Sequence, residues 1–502
     1  MIERNSNVST VGLKAKAVKA AGINVTVQSI GFLFQTVGVI VLARLLTPRD
    51  FGLVAMVTAF SLWLGSFGVN GFTEFIIQKQ EIGDKEITSI FRLHLVVATL
   101  LAVGFTFFGL FLVDFYTEPA LIGIAAAMAS TFILQALSTS HFAILKREMR
   151  FAPIAIAELV GVILSIFLAI GAALAGMGFW AVVIRQLTRP SVMTLAAWVL
   201  CPWRPKGAWN LSVALPGLKY AIQVYFNITL GFVMRGLDKV LLGKFHGAEL
   251  LGSYDRAYYI FSMPVDQLLT PLHGVALATL SRVKQDKERL SAYYGKAVAT
   301  VAFPGTLASL LLTISAKDLV LVLLGPNWID TGMVVMAFGP GIAAELVYGT
   351  HSWLHLSLGT PNRWFKWHVL ATVITVVAFL IAAPFGAVAM AIAFSLRTYT
   401  LIVPAVWYAG RPIELSLGVL IRYFRAYFVS GICVGILWFA VSEYWLPLRT
   451  VLVGLGPMNR ILIASCTATI LYVGFVVALQ RSFRAIRDVG SLIRQAFSRR
   501  DQ

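Results

Sequence analysis

Arg185 and Arg189 stand four residues apart in an apolar stretch, as do Arg235 and Lys239, so each pair falls on one face of a helix. Two like charges on one face repel unless an anion or a water-filled cavity lies opposite. Arg256, Asp238, Asp266 and Arg397 occupy similarly apolar surroundings, with Glu74, Glu158 and Glu345 as scattered acids. An ionised group deep in hydrocarbon is costly unless it is paired or wetted, which makes each one a functional candidate. What such a set can do is recognise an anionic head, a phosphate or diphosphate, through charge-assisted hydrogen bonds. The candidate substrate-binding residues are therefore Arg235, Lys239, Arg256, Arg185, Arg189 and Arg397, with Asp238 and Asp266 tempering the field. A plainer reading pairs Arg235 with Asp238 or Asp266 and lets Arg256 snorkel to the membrane edge.

Other chemistries find less support. No G-x-x-x-x-G-K-[ST] phosphate loop is present. Gly176-x-Gly178-x-x-Ala181 imitates a dinucleotide fingerprint, but it falls in a tight hairpin between two apolar segments with no strand before it. His351 and His355 are four apart without a catalytic Glu between them, so a structural or pore-lining pair is expected rather than a metal site. Cys201, Cys433 and Cys466 are too scattered for a disulfide framework or a metal cluster. No cofactor and no catalytic grouping is expected.

The elements that must position these charges are membrane helices. Of 502 residues 58% are hydrophobic and 13% charged, with a mean hydropathy of +0.81. A soluble domain carries about 25% charged residues, so roughly half the usual polar surface is missing. The net charge of +18 would suggest nucleic acid in a soluble protein, but here the cations sort against the bilayer, and no nucleic-acid partner is expected. The polar first twenty or so residues lack the compact apolar core of a cleaved signal peptide.

A span needs about twenty apolar residues. Candidates lie near 18–44, 51–77, 89–113, 120–143, 153–175, 178–200, 214–243, 253–278, 294–314, 332–357, 366–384, 387–409, 420–442 and 459–480. The eighth carries charges, and the end of the ninth blurs into Asp318–Leu324. With a cytoplasmic N-terminus, 24 loop and tail Lys and Arg fall on the inner side, while only Arg49, Lys244, Lys317 and Arg449 fall outside. That asymmetry obeys the positive-inside rule, gives an even number of spans and puts both termini in the cytoplasm. Arg92, Lys219, Lys296, Arg422 and Arg425 read as anchors at the inner edge.

At an offset of 200 residues Gly31-Phe32 matches Gly231-Phe232, Leu42 matches Leu242, Arg44 matches Lys244 and Gly52 matches Gly252. This faint repeat divides the chain into an N-terminal lobe (1–201), a cytoplasmic connecting loop (202–213), a C-terminal lobe (214–410) and two further helices (411–480). A basic amphipathic tail (481–502), with Phe483, Ile486, Val489, Ile493 and Phe497 at helical spacing, suits the inner leaflet and its lipids. The fold class expected is all-α and polytopic, with about fourteen transmembrane helices in two pseudo-symmetric six-helix lobes plus two more. That is a transporter plan. Pro190, Pro264 and Pro304 mark kinks where helices could bend during alternating access.

Two stretches carry a family likeness. VLARLLTPRDFGLVAMVTAF (41–60) and RGLDKVLLGKFHGAELLGSYDRAYYI (235–260) resemble the first and seventh helix turns of Wzx-type flippases, of the multidrug/oligosaccharidyl-lipid/polysaccharide exporter superfamily. The resemblance implies two lobes around a central cavity in the bacterial inner (cytoplasmic) membrane. It implies export of an undecaprenyl-diphosphate-linked oligosaccharide for exopolysaccharide, lipopolysaccharide or capsule assembly, alongside glycosyltransferases and a polymerase. It also implies that Arg235, Lys239 and Arg256 would meet the diphosphate. Drug exporters of the superfamily tend to carry an acid in the first helix, and 18–44 here has none. A multidrug antiporter, a flippase for the peptidoglycan precursor and a membrane glycosyl-transfer enzyme are the alternatives. The last would need a larger outer loop bearing paired carboxylates.

Overall fold

The protein was analysed as a computed structural model, which describes residues 10–67, 69–444 and 454–480; within some helices the backbone alone is described. The amphipathic tail lies outside the described residues. The described chain is all-α, and each of the fourteen expected segments falls on helical residues. Among the described residues nine helices are long and apolar enough to cross a membrane, or ten with one bent pair, so the protein is a multi-pass membrane protein.

The chain divides into two compact units, Met1–Gly252 and Ser253–Gln502. The boundary falls inside one helix-forming stretch, just past a break at Gly247.

Unit 1 is built from α1 (Thr10–Leu45), α2 (Pro48–Gly65), α3 (Val69–Gln78), α4 (Asp84–Tyr116), α5 (Leu121–Arg147), α6 (Phe151–Leu174), α7 (Phe179–Leu200) and the first part of α8 (Leu211–Arg282). The expected span 51–77 is two helices, α2 and α3. The sequence SFGVNG (66–71) cannot sustain an uninterrupted helix, since Gly and Asn weaken it. The start of α2 follows from local chemistry. Thr47 caps it through the Asp50 backbone N–H, the Asp50 carboxylate accepts the Thr47 N–H at 2.9 Å, and Pro48 takes the first turn, where no N–H is needed. Phe72, Ile76, Ile90, Leu93, Leu145 and Cys201 form a buried apolar cluster at one end of the unit.

Gly52 and Gly252, the matched pair of the repeat, meet in this unit. A Cβ on Gly52 would lie 1.7 Å from Ala248 O, and one on Gly252 would lie 1.8 Å from Pro48 O. Ala248 is itself 200 residues from Pro48, so the contact is reciprocal. Reciprocity is what a twofold relation between two copies produces. Only glycine allows two helix backbones this close.

Unit 2 continues from the second part of α8 through α9 (Lys287–Leu323), α10 (Thr331–Phe338), α11 (Gly341–Gly349), α12 (His351–Ser357), α13 (Pro361–Ala382), α14 (Ala387–Gly410), α15 (Leu417–Tyr444) and α16 (Pro457–Gln480). The ambiguous stretch Asp318–Leu324 is the end of α9. The expected span 332–357 is broken into α10, α11 and α12, with a 44° bend at Gly339-Pro340, where proline removes a ladder donor. Phe261 of α8 packs on Phe338 and Phe394 with ring centroids 5.1 Å and 5.3 Å away, forming an aromatic core. α9 is the hub, touching α10, α11, α15 and α16.

Candidate functional site

α7 is long enough to cross a membrane, yet it is absent from the nine apolar spans because Arg185, Gln186 and Arg189 lower its hydropathy. Arg185 and Arg189 share one face, as their spacing requires. Arg189 donates to Glu158 of α6, and both side chains are about half exposed. Gly161 of α6 packs beside Arg189: a Cβ there would lie 3.6 Å from Arg189 Cγ, an ordinary van der Waals contact. Arg185, one turn earlier, is half-buried.

On α8, Asp238 is buried at 1% exposure, and its Oδ1 accepts the Lys239 backbone N–H at 2.9 Å. Lys239 is half-buried beside it. Arg235 lies outside the residues whose side chains are described.

In unit 2, Arg256 pairs with its chain neighbour Asp255 and lies over the Tyr259 ring at 5.5 Å. The plainer sequence reading let Arg256 snorkel to the membrane edge and named no partner for it. Asp266 is exposed. Arg397 of α14 is buried: its Nη2 lies 3.8 Å from Glu345 Oε2 of α11, its Nη1 donates to Thr375 Oγ1 of α13 at 3.3 Å, and its guanidinium covers the Phe394 ring at 4.5 Å. Glu345 also accepts from Thr398 at 3.2 Å.

The histidine pair is buried in α12. His351 Nδ1 is 2.5 Å from Tyr348 O, His355 Nδ1 is 3.1 Å from Thr360 Oγ1, and the ring centroids are 6.0 Å apart. No group of three or more possible metal ligands gathers among the described residues. The glycines of the false fingerprint, Gly176 and Gly178, have φ of 75° and 54° in the α6–α7 turn, where glycine is favoured.

Two sets of interactions were invisible to spacing. Arg460 of α16 holds Asp318 of α9 through Nε and Nη2, beside a cavity of about 700 Å³. Cations also cap helix ends in unit 1. Arg147 donates to Ile76 O at 2.8 Å, Lys79 O at 2.5 Å and Gln80 O at 2.7 Å, at the end of α3. Arg204 does the same for α7, donating to Trp198 O at 2.7 Å and Cys201 O at 2.6 Å. A cation at a helix C-terminus satisfies orphan carbonyls and opposes the dipole. The only sequence hint was a basic residue shortly after an apolar segment.

The chain is 24% identical over 322 residues to the succinoglycan biosynthesis transport protein ExoT of Rhizobium meliloti (strain 1021), covering 64% of this chain and 65% of that one. It is 22% identical over 297 residues to the lipopolysaccharide biosynthesis protein WzxC of Escherichia coli (strain K12), covering 57% and 59%. The match thus spans about 60–65% of the length of these curated relatives. Its fold is similar to that of the lipid II flippase MurJ in an inward closed conformation, with TM-score 0.71 at 12% identity over 92% of this chain and 99% of that one. A multidrug resistance MATE family transporter of the MOP superfamily, inward-facing, follows with TM-score 0.59 at 14% identity over 78% and 98%. The family model for polysaccharide biosynthesis proteins matches residues 41–332, more than half of the sequence, and the chain belongs to that family.

Proposed function

We propose that the protein is a flippase that moves a polyprenyl-diphosphate-linked oligosaccharide across the bacterial cytoplasmic membrane, and that it is not an enzyme. The observation that carries this reading is α7: a helix of spanning length bearing two arginines on one face, packed beside the apolar span α6. A flippase must draw a hydrated diphosphate and its sugars through hydrocarbon while the lipid tail stays in the bilayer. Fixed cations lower that barrier by replacing water with preplaced donors, which Arg and Lys supply in number. In unit 1, Arg185, Arg189, Arg235 and Lys239 are the residues proposed to meet the head, with Asp238 keeping binding reversible; in unit 2 the candidates are Arg256 and Asp266. Membership of a polysaccharide biosynthesis family supports the sugar, and the relatives' names support transport. Basic loops face the cytoplasm in this reading, where glycosyltransferases would deliver the substrate; a polymerase would take it on the far side.

Deleting the gene should stop one surface or secreted polysaccharide and leave its lipid-linked repeat unit on the cytoplasmic side. Lys239→Ala should fail to restore export while still accumulating in the membrane, and a cysteine placed at Gly207 should resist an external thiol label. Unchanged polysaccharide in the deletion strain sinks the proposal. If drug sensitivity rises as well, the antiporter takes its place.

A further inference from the structure

We propose that the cavity in unit 2 between α9, α15 and α16 is a binding site for an anionic glycerophospholipid of the outer leaflet. The cavity holds about 700 Å³ and runs along α9 from Thr306 to Asp318. Twelve residues at 1.5 Å each make that about 18 Å. One leaflet contributes about 15 Å of hydrocarbon, so the cavity has the depth of a single lipid chain with its head. Phe428, Ile432, Ile436 and Phe439 of α15 give it an apolar wall.

Charge is confined to one end, where Lys317, Asp318 and Arg460 line it. Arg460 and Asp318 neutralise each other through three hydrogen bonds, two from Nε and one from Nη2. Lys317 is exposed and has no ion pair or hydrogen bond among the described residues. The other outer-side cations differ. Arg49 is held by Glu118 at 2.8 Å, Lys244 donates to Phe115 O at 2.7 Å, and Arg449 lies outside the described residues.

The sum is one net positive charge at the head end of an apolar slot. A phosphodiester carries a single negative charge and accepts hydrogen bonds from the Lys317 ammonium. A diphosphate carries more charge than this end can balance, which separates this lipid from the transported one. Because Lys317 lies on the cation-poor side of the membrane, the leaflet is the outer one. The inference does not rest on the flippase reading.

Native mass spectrometry of the full chain, released from nanodiscs, tests it with phosphatidylglycerol as the probe. One phosphatidylglycerol should be retained in preference to phosphatidylethanolamine. Lys317→Gln, at an exposed site, should weaken that binding about tenfold, the loss of one charge-assisted contact. Ile432→Trp and Ile436→Trp, which project bulk into the slot from exposed positions, should abolish it. Equal retention of the two phospholipids overturns the proposal. So does undiminished phosphatidylglycerol binding in both tryptophan variants, or its displacement by an equal concentration of undecaprenyl phosphate.

Discussion

The two units treat an arginine inside a membrane helix in opposite ways. In unit 1, Arg189 of α7 meets Glu158 of α6 with both side chains about half exposed. In unit 2, Arg397 of α14 has a side-chain exposure of 4% and is surrounded by Glu345, Thr375 and the Phe394 ring. Both arginines stand in apolar sequence, and both had equal standing as substrate contacts. Their surroundings separate them. A half-exposed pair can exchange its partner for an incoming anion at little cost. A buried guanidinium with an acid, a hydroxyl and an aromatic face around it ties α11, α13 and α14 together, and its removal leaves Glu345 without its counter-charge.

That contrast makes its largest prediction at Arg397. Arg397→Ala should destabilise the purified protein by about 3 kcal/mol, the lower end for breaking a buried pair, because Glu345 remains partly solvated. Thermal unfolding in detergent should show it, and Arg397→Met combined with Glu345→Gln should recover much of the loss. A stable Arg397→Ala protein that fails only in export would erase the distinction and return Arg397 to the substrate path.

A smaller effect is expected where a cation caps a helix. Arg147→Ala removes three hydrogen bonds from the end of α3, two of them at exposed carbonyls that water can serve, so about 1–2 kcal/mol should be lost. Hydrogen exchange should quicken in α3 before the rest of unit 1. Uniform quickening across the unit would mean that the cap is not local.

The smallest change in stability belongs to Arg189. Exposed pairs contribute about 0–1 kcal/mol, so Arg189→Gln should leave the unfolding temperature nearly unchanged. Export of the surface polysaccharide should nonetheless fall. Loss of stability without loss of transport would reverse the roles assigned to the two arginines.

Much of this was legible before any coordinates. The fourteen apolar segments fall on helices because hydrophobicity is a local sum over about twenty residues, and a membrane rewards that sum directly. Gly52 and Gly252 stood out at the 200-residue offset because only glycine fits where two backbones nearly touch. The breaks at 66–67 and at Gly339-Pro340 are written in the residues, yet a window average smooths over them and reads each as part of a continuous span.

Pairing was a different matter. Arg460 reaches Asp318 across 142 residues, and Arg147 caps carbonyls some 70 positions away. Spacing along a helix describes one face of one element, and charge in a composition has no address. Which acid stands within 3–4 Å of which base depends on how helices cross, and crossings follow from packing over the whole unit. Composition and hydropathy along the chain are enough to show that it lives in a membrane and where it forms helices. The folded helices bury Arg397 among Glu345, Thr375 and Phe394, leave Arg189 half exposed beside Glu158, and set Lys317 at an exposed position on the rim of a cavity. Burial is set locally by apolar side chains, whereas the fate of a buried charge is set by partners that only the fold brings within reach.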